Sequence, residues 1–267
     1  MKKGVCVWGT GKVGTAFAQR LAEYGYHIIA GADIDFESES RFAAYFKCGL
    51  ASDMPQPISC NLLVCSLPDA VMRLSDLNER FNSLFSVNRV IHTSGSLSAD
   101  SLKLNNVTDI LSIHPLISMP TMKAALSRFQ DAYFAVEGKK PEWGIKLMKK
   151  LDLKAFIIRR SQKMLYHTAA VLAGNLVSAP IIAAFQSAEA AGISEDDFIL
   201  RFRPLMQSVL DNLANEGTQN ILSGPVKRKD INLLEQQIEA LNEAELPDES
   251  KLYDFLSKYL QIKAGLL

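Results

Sequence analysis

Val5-Cys6-Val7-Trp8-Gly9-Thr10-Gly11-Lys12-Val13-Gly14 is the stretch whose reading decides the fold. Four apolar residues stop at Gly9, and Gly11 and Gly14 follow. Ala16, Phe17, Leu21 and Ala22 then recur at helical spacing as far as Gly25. The run reads as a strand, a tight turn and an amphipathic helix closed by a C-terminal glycine. Outward from it, the next apolar run, 28–32, ends on Asp33. The run 62–65 ends at Ser66-Leu67-Pro68-Asp69, and Val90-Ile91-His92 ends at Thr93-Ser94-Gly95-Ser96. Further strands are expected at 110–113, 132–136 and 155–158. Near-continuous apolar strands separated by amphipathic segments predict an α/β fold with a mostly parallel sheet covered on both faces.

Past Arg160 the strand signals stop. Residues 161–191 form one long Ala-rich segment of helical period, with a kink expected at Pro180, which lacks an amide donor. Ser194-Glu195-Asp196-Asp197 reads as a helix cap with an acidic first turn, and that helix runs towards Gly217 with a bend near Pro204. Two more helices are expected at about 230–241 and 250–262. The chain thus divides into an α/β domain, 1–160, and an all-helical domain, 161–267.

Each part of the glycine turn has a mechanical reading. Gly9 permits the turn, Gly11 lets backbone approach a pyrophosphate, and Gly14 lets helix pack on strand. The free amides and dipole of the helix N-terminus receive the negative charge. The spacing and the near-terminal position point to a dinucleotide held by Gly9, Thr10, Gly11, Lys12, Val13 and Gly14 in a Rossmann-type sheet. Asp33 stands nineteen positions beyond Gly14, where a carboxylate can accept the ribose hydroxyls and would repel a 2′-phosphate. Asp35 competes for that role, and Arg41 is the first arginine after the strand. The expected cofactor is therefore NAD(P), with NAD favoured over NADP. Ser66, Leu67, Pro68, Thr93, Ser94 and Gly95, at the carboxyl ends of two later strands, are placed in the same cleft.

Composition narrows the remaining classes. The chain has 267 residues, 48% hydrophobic and 22% charged, which excludes disorder. Lys plus Arg and Asp plus Glu are each 29, so the basic excess of a nucleic-acid binder is missing. Cys6, Cys48, Cys60 and Cys65 show no zinc-ligand spacing, so no metal is expected, and they read as reduced thiols. The charged start Met1-Lys2-Lys3 mimics a signal peptide, but the apolar run behind it breaks at Gly9. The apolar stretch 169–185 is interrupted by Asn175, Ser178 and Pro180 and falls short of a membrane span. A soluble cytoplasmic protein is expected, without a membrane or nucleic-acid partner.

Four histidines are candidates for acid–base work. His27 reads as solvated and His92 as a satisfied core residue. His114 is delivered by the strand 110–113 and held before Pro115, at a strand end. His167 shares a helix face with Lys163, and the two are read with His114 and Asn175 as the catalytic set. Lys163 would tune His167 or anchor a substrate carboxylate, and Asn175 would lie deeper in the cleft. The order Lys163-x-x-Tyr166 is the reverse of the Tyr-x-x-x-Lys of short-chain reductases, which argues against that mechanism.

The glycine turn, Ser66-Leu67-Pro68-Asp69, His92-Thr93-Ser94-Gly95, Ser112-Ile113-His114-Pro115-Leu116, Leu165-Tyr166-His167 with Ala169-Ala170 and Asn175, and Ser223-Gly224-Pro225 with Arg228 and Asp230 occur in one order. That series resembles an uncharacterised bacterial family of Rossmann-like oxidoreductases with a helical C-terminal domain of unknown function. The family is similar in organisation to pyrroline-5-carboxylate reductases, prephenate dehydrogenases and 6-phosphogluconate dehydrogenases. The resemblance implies a nicotinamide-binding N-terminal domain, a helical homodimerisation domain and an active site between them. Prephenate dehydrogenases carry a catalytic histidine in a His-Pro pair at this stage of the chain, which draws attention to His114. Asp33-Ile34-Asp35 departs from the Ser-Arg pattern by which many relatives suit NADP. The function expected is hydride transfer between NAD(P) and a small polar metabolite at the interdomain cleft. The alternatives are a non-catalytic dinucleotide sensor or an imine reductase of the pyrroline-5-carboxylate type.

Overall fold

The computed structural model describes residues 3–220 and 222–265. Met1 and Lys2 of the charged start lie outside the described residues. The chain forms two compact units, Met1–Gly174 and Asn175–Leu267.

The first unit opens with β1 (Gly4–Trp8), α1 (Lys12–Glu23), β2 (His27–Ala32), α2 (Phe36–Phe46) and β3 (Gly49–Leu50). It continues with β4 (Ile58–Ser59), β5 (Leu62–Cys65), α3 (Asp69–Met72), α4 (Leu77–Leu84), β6 (Phe85–Ser86) and β7 (Arg89–His92). Then come β8 (Asp109–Leu116), α5 (Met122–Arg128), β9 (Tyr133–Gly138), α6 (Pro141–Lys150), β10 (Lys154–Ile157) and α7 (Lys163–Ala173). Eight strands form one sheet in the order β10-β9-β8-β7-β5-β1-β2-β3, and β4 pairs with β6 apart from it. Every neighbouring pair in the large sheet is parallel except β8 with β9.

The alternation of side chains along the strands builds two cores. Val5 and Val7 of β1 and Leu62 and Val64 of β5 join Phe17, Leu21, Phe129, Phe134 and Met148 on one face. Cys6, Trp8, Leu63 and Cys65 join Met72, Phe81 and Phe85 on the other. Each strand is fully buried because both of its faces are covered, and so its sequence reads as continuous rather than alternating apolar.

Three expectations need correction. β8 extends to Leu116, so His114 and Pro115 lie inside a strand rather than at its end. The β7 partner stops at His92, opposite Ser112, so the missing amide of Pro115 interrupts no bond to β7. The segment 161–191 is not one helix kinked at Pro180. It breaks at Gly174, the C-cap of α7, and resumes in α8 (Ser178–Ala190). Pro180 sits in the first turn of α8, where no intrahelical donor is required. Finally, an 18-residue window within Arg160–Ala190 has a mean hydropathy of 1.8, so by length and composition alone this stretch is apolar enough to cross a membrane. Asn175, Ser178 and Pro180 interrupt the run, but its Ala, Val, Leu, Ile and Phe residues outweigh them.

The second unit contains α8, α9 (Glu195–Asn220), α10 (Gly224–Arg228), α11 (Ile231–Glu243) and α12 (Pro247–Lys263). Ser194 Oγ accepts the Asp197 amide (3.3 Å) as the expected cap, and Gly217 (φ 73°) interrupts α9. Its core holds Ala188, Phe198, Val226 and Leu234, with Phe198 stacked on Phe202 at 4.6 Å. Ile182, Leu200, Leu205 and Leu210 on α8 and α9 are exposed.

Candidate active site

The glycine turn leaves the carboxyl end of β1 as a cradle closed below and open above. The Gly9 amide donates to Ala32 O (2.9 Å), tying the turn to the end of β2. Gly9 has φ +93°, and a β-carbon there would meet Ser66 O at 2.6 Å. A β-carbon on Gly14 would collide with Gly9 O. Gly11 differs from both: it is exposed, and a β-carbon on it would meet nothing within 4 Å. The open space of the turn therefore lies over Gly11, at the start of α1. Lys12 reaches back to Pro120 O (3.1 Å), Val13 is half-buried and Thr10 is buried.

Asp33 is fastened to this cradle. Its Oδ2 accepts both the Thr10 amide (2.7 Å) and the Thr10 hydroxyl (3.1 Å), and its Oδ1 accepts the Asp35 amide (3.1 Å). The carboxylate keeps lone pairs for further donors. Asp35 caps α2 through the Glu37 amide (3.2 Å) and lies 4.0 Å from Arg41.

Next along the same edge, Thr93 donates to Ser66 Oγ (3.1 Å), linking the ends of β7 and β5. Leu67 and the exposed Pro68 lead into α3. Gly95 is buried against two imidazoles. A β-carbon on it would lie 2.8 Å from His114 Nε2 and closer still to His167 Nδ1. The two rings stand edge to face with centroids 5.6 Å apart. Ala at position 95 would push both rings aside. We expect Gly95→Ala to lower kcat roughly 100-fold, the cost of a displacement near 1 Å, while NAD(P) affinity in calorimetry stays within about threefold.

Beneath Gly95 lies a buried polar cluster. Lys163, 1% exposed, donates from Nζ to Ser112 Oγ (2.5 Å) and Ser94 O (3.0 Å), and the Ser112 hydroxyl donates to the same carbonyl (3.0 Å). Burial draws the Lys163 ammonium down to about 8, with Glu137 and Asp69 pulling the other way. The amine is thus spent within the protein and holds the strand end that carries Gly95, rather than facing outward for a substrate carboxylate. Asp69 accepts the Ser96 hydroxyl, and Glu137 accepts the Ala99 amide (2.7 Å).

His114 Nδ1 lies 3.0 Å from the Tyr166 hydroxyl. Burial, then the charges of His167 and Lys163, push His114 down to about 4, and burial lifts Tyr166 to about 12. At neutral pH both are uncharged. The phenol is the more acidic partner, so it donates to Nδ1 and leaves the ring proton on Nε2, the nitrogen beside Gly95. Tyr166, present in the Leu165-Tyr166-His167 motif, was not among the expected catalytic residues because its order with Lys163 reverses the short-chain reductase pattern. Lys163, Tyr166 and His167 stand at i, i+3 and i+4 on α7, and that spacing was the available signal.

His92, expected to be a satisfied core residue, is fully buried with neither ring nitrogen hydrogen-bonded among the described residues. Burial, reinforced by Lys163, takes it down to about 3, so it is neutral. His27 is exposed, as expected. The structure brings together His114, His167, Lys163, Ser94 and Gly95 within the first unit. Asn175 is exposed in the turn after α7, where the second unit begins.

The fold is a Rossmann-type α/β sheet with a helical C-terminal region. Residues 132–260 match the family described as a domain of unknown function, DUF2520. The resemblance drawn from the ordered motifs holds there. No curated protein is similar to the chain in sequence. Among solved structures, protein TM1727 from Thermotoga maritima is similar at 25% identity, covering 98% of each chain with a TM-score of 0.68. A candidate NADP oxidoreductase from Bacteroides fragilis aligns over 97% of this chain and 98% of its own, at 19% identity and a TM-score of 0.76. A reductive aminase from Aspergillus terreus, solved with NADPH and ethyl-5-oxohexanoate, aligns over 100% and 99% at 12% identity and a TM-score of 0.68.

Proposed function

We propose that this protein is an NAD(P)-dependent oxidoreductase acting on a small polar metabolite with a C–O or C–N bond to reduce or oxidise. The observation that carries the reading is the convergence of His114 Nε2 and His167 Nδ1 on Gly95, at the sheet edge where the glycine cradle opens. The residues present fit a dinucleotide. Gly9 and Gly14 have no room for side chains, Gly11 leaves open space, and Asp33 presents a fixed carboxylate at the end of β2. Bound there, the nicotinamide supplies or accepts the hydride.

The chain's own residues handle the proton. Reduction of C=O or C=N needs one proton at oxygen or nitrogen for each hydride added at carbon. Neutral His114 offers Nε2–H to the reacting oxygen or nitrogen while the Tyr166 hydroxyl passes its proton to Nδ1. The imidazole thus stays neutral, and the phenol regains its proton from solvent; His167 stands beside His114. Lys163 is a positioning residue. It holds Ser94 O, and a group that titrates near pH 8 stores a proton next to the site. The likeness to a reductive aminase supports a C=N substrate as a second reading, and a dinucleotide sensor without turnover is the non-catalytic alternative. A panel of imines, ketones and 2-hydroxy acids, assayed with both nicotinamides, separates the three. Turnover supports the enzyme. Tight NAD(P) binding with no turnover across the panel favours the sensor.

NAD is the preferred cofactor in this reading, because Asp33 faces donors and repels a 2′-phosphate. Wild type should bind NAD about tenfold more tightly than NADP, a difference of about 1.4 kcal/mol, and Asp33→Ser should narrow that gap. Calorimetry showing NADP ahead in the wild type would contradict this assignment. The exposed apolar face of α8 and α9 fits a homodimer in which a second copy covers it. Light scattering should give twice the chain mass, and Leu200→Glu with Leu210→Glu should reduce it to the monomer.

A further inference from the structure

The opposite edge of the sheet carries a cavity of about 610 Å³ that the cofactor reading leaves unused. Lys3, Leu62, Arg89 and Asp109, at or next to the starts of β1, β5, β7 and β8, meet Trp143, Lys146 and Lys150 of α6 around it. Ligands of α/β sheets bind at the carboxyl edge, so this amino-edge hollow is a second feature, and its size suits a small organic molecule.

The chemistry of the lining is one-sided. Four of its side chains are cationic and one is anionic, in a chain whose acidic and basic residues are equal in number. The one carboxylate, Asp109, is already matched by Lys140 (2.7 Å) and Arg89 (3.5 Å) and is held below its usual range by them. Lys3 and Lys146 have no acidic partner among the described residues. Two of the cations are held against aromatic faces, Arg89 over Trp143 at 5.6 Å and Lys150 over Tyr26 at 4.5 Å. The Trp143 indole N–H is buried with no acceptor. A buried donor without a partner costs free energy until an acceptor arrives. The unspent groups are thus cations, set among the apolar surfaces of Leu62, Leu147 and two aromatic rings.

We propose that this amino-edge cavity binds a small organic anion with a flat apolar body, its anionic group among Lys3, Lys146 and Lys150 and its body against Trp143. A hollow of about 610 Å³ selects a small molecule over an acidic peptide or a polynucleotide, whose backbones would remain outside it. The site is separate from the dinucleotide cradle and does not depend on it.

The chain has two tryptophans, Trp8 and Trp143, so its spectrum shows two indole N–H resonances that Trp143→Phe assigns. The ¹⁵N-labelled full-length protein is titrated with 1-naphthyl phosphate, with 1-naphthol and inorganic phosphate as separate controls. The Trp143 indole resonance should move saturably with 1-naphthyl phosphate while that of Trp8 stays in place. In the Lys146→Glu/Lys150→Glu variant, which alters two exposed residues of α6, the dissociation constant should rise at least about tenfold. A Trp143 resonance that does not move, or that moves equally in the charge-reversed variant, would overturn the proposal. Equal shifts with inorganic phosphate alone would overturn the flat-body assignment. Loss of NAD(P) binding in Gly11→Val should leave the titration unchanged, so failure of the cofactor reading is distinguishable from failure of this one.

Discussion

Gly11→Val should yield a protein that folds as the wild type does and binds NAD and NADP at least about 100-fold more weakly, a loss near 2.7 kcal/mol. The backbone at Gly11 is extended (φ −66°, ψ −169°), which valine adopts without strain, and no atom lies within 4 Å of a new β-carbon. In the proposed reading, that open space is where the pyrophosphate sits. A branched side chain fills that space and shields the amides that open α1. Gly14→Ala makes the opposite case. Its β-carbon would run into Gly9 O, so the variant should lose stability first, by about 1–3 kcal/mol. Calorimetry with circular dichroism separates the two outcomes. Unchanged affinity in a folded Gly11→Val protein would remove the cradle from the account.

Lys163→Met should lower kcat by about 100-fold to 1,000-fold, in the range expected for lost proton handling, and should also make the protein more stable. Burial holds the ammonium near 8 against an ordinary 10.5, so its charge costs on the order of 3 kcal/mol at neutral pH. Methionine matches the volume, and Ser112 still donates to Ser94 O, so no buried acceptor is orphaned. The thermal midpoint at pH 7 should rise by about 5 °C. The pH dependence follows from linkage. Between about pH 8 and 10.5 the unfolded chain binds the proton that the native state has released, so wild-type stability rises with pH across that window. The Met variant should lack this rise. It should also lose the kcat limb near pH 8 while keeping its cofactor affinity. Unchanged kcat with the same gain in stability would reduce Lys163 to a buried structural charge.

The architecture was legible because the physics that makes it is local. Strands buried on both faces must read as apolar runs, and β1, β5 and β7 end where their runs end. β3, β4 and β6 were missed because two residues carry no period. Pro180 misled because proline costs a helix nothing in its first turn, and the break falls instead at Gly174. His114 and His167 were readable as candidates from residue type and spacing. Their contact with Gly95 was not, because it depends on how far β8 runs past β7. The Tyr166–His114 bond joins residues 52 positions apart, and the cations of the amino-edge cavity come from three separate segments of the chain. No pattern along the chain announces either arrangement.

The central claim is that the glycine cradle and the two imidazoles belong to one nicotinamide site, and a crystal structure of the NADH complex tests it most directly. The account predicts the pyrophosphate over Gly11, the adenosine ribose on Asp33, and nicotinamide C4 within about 5 Å of His114 Nε2 or His167 Nδ1, close enough for direct or single-water proton transfer. A nicotinamide ring more than about 10 Å from both imidazoles would contradict it.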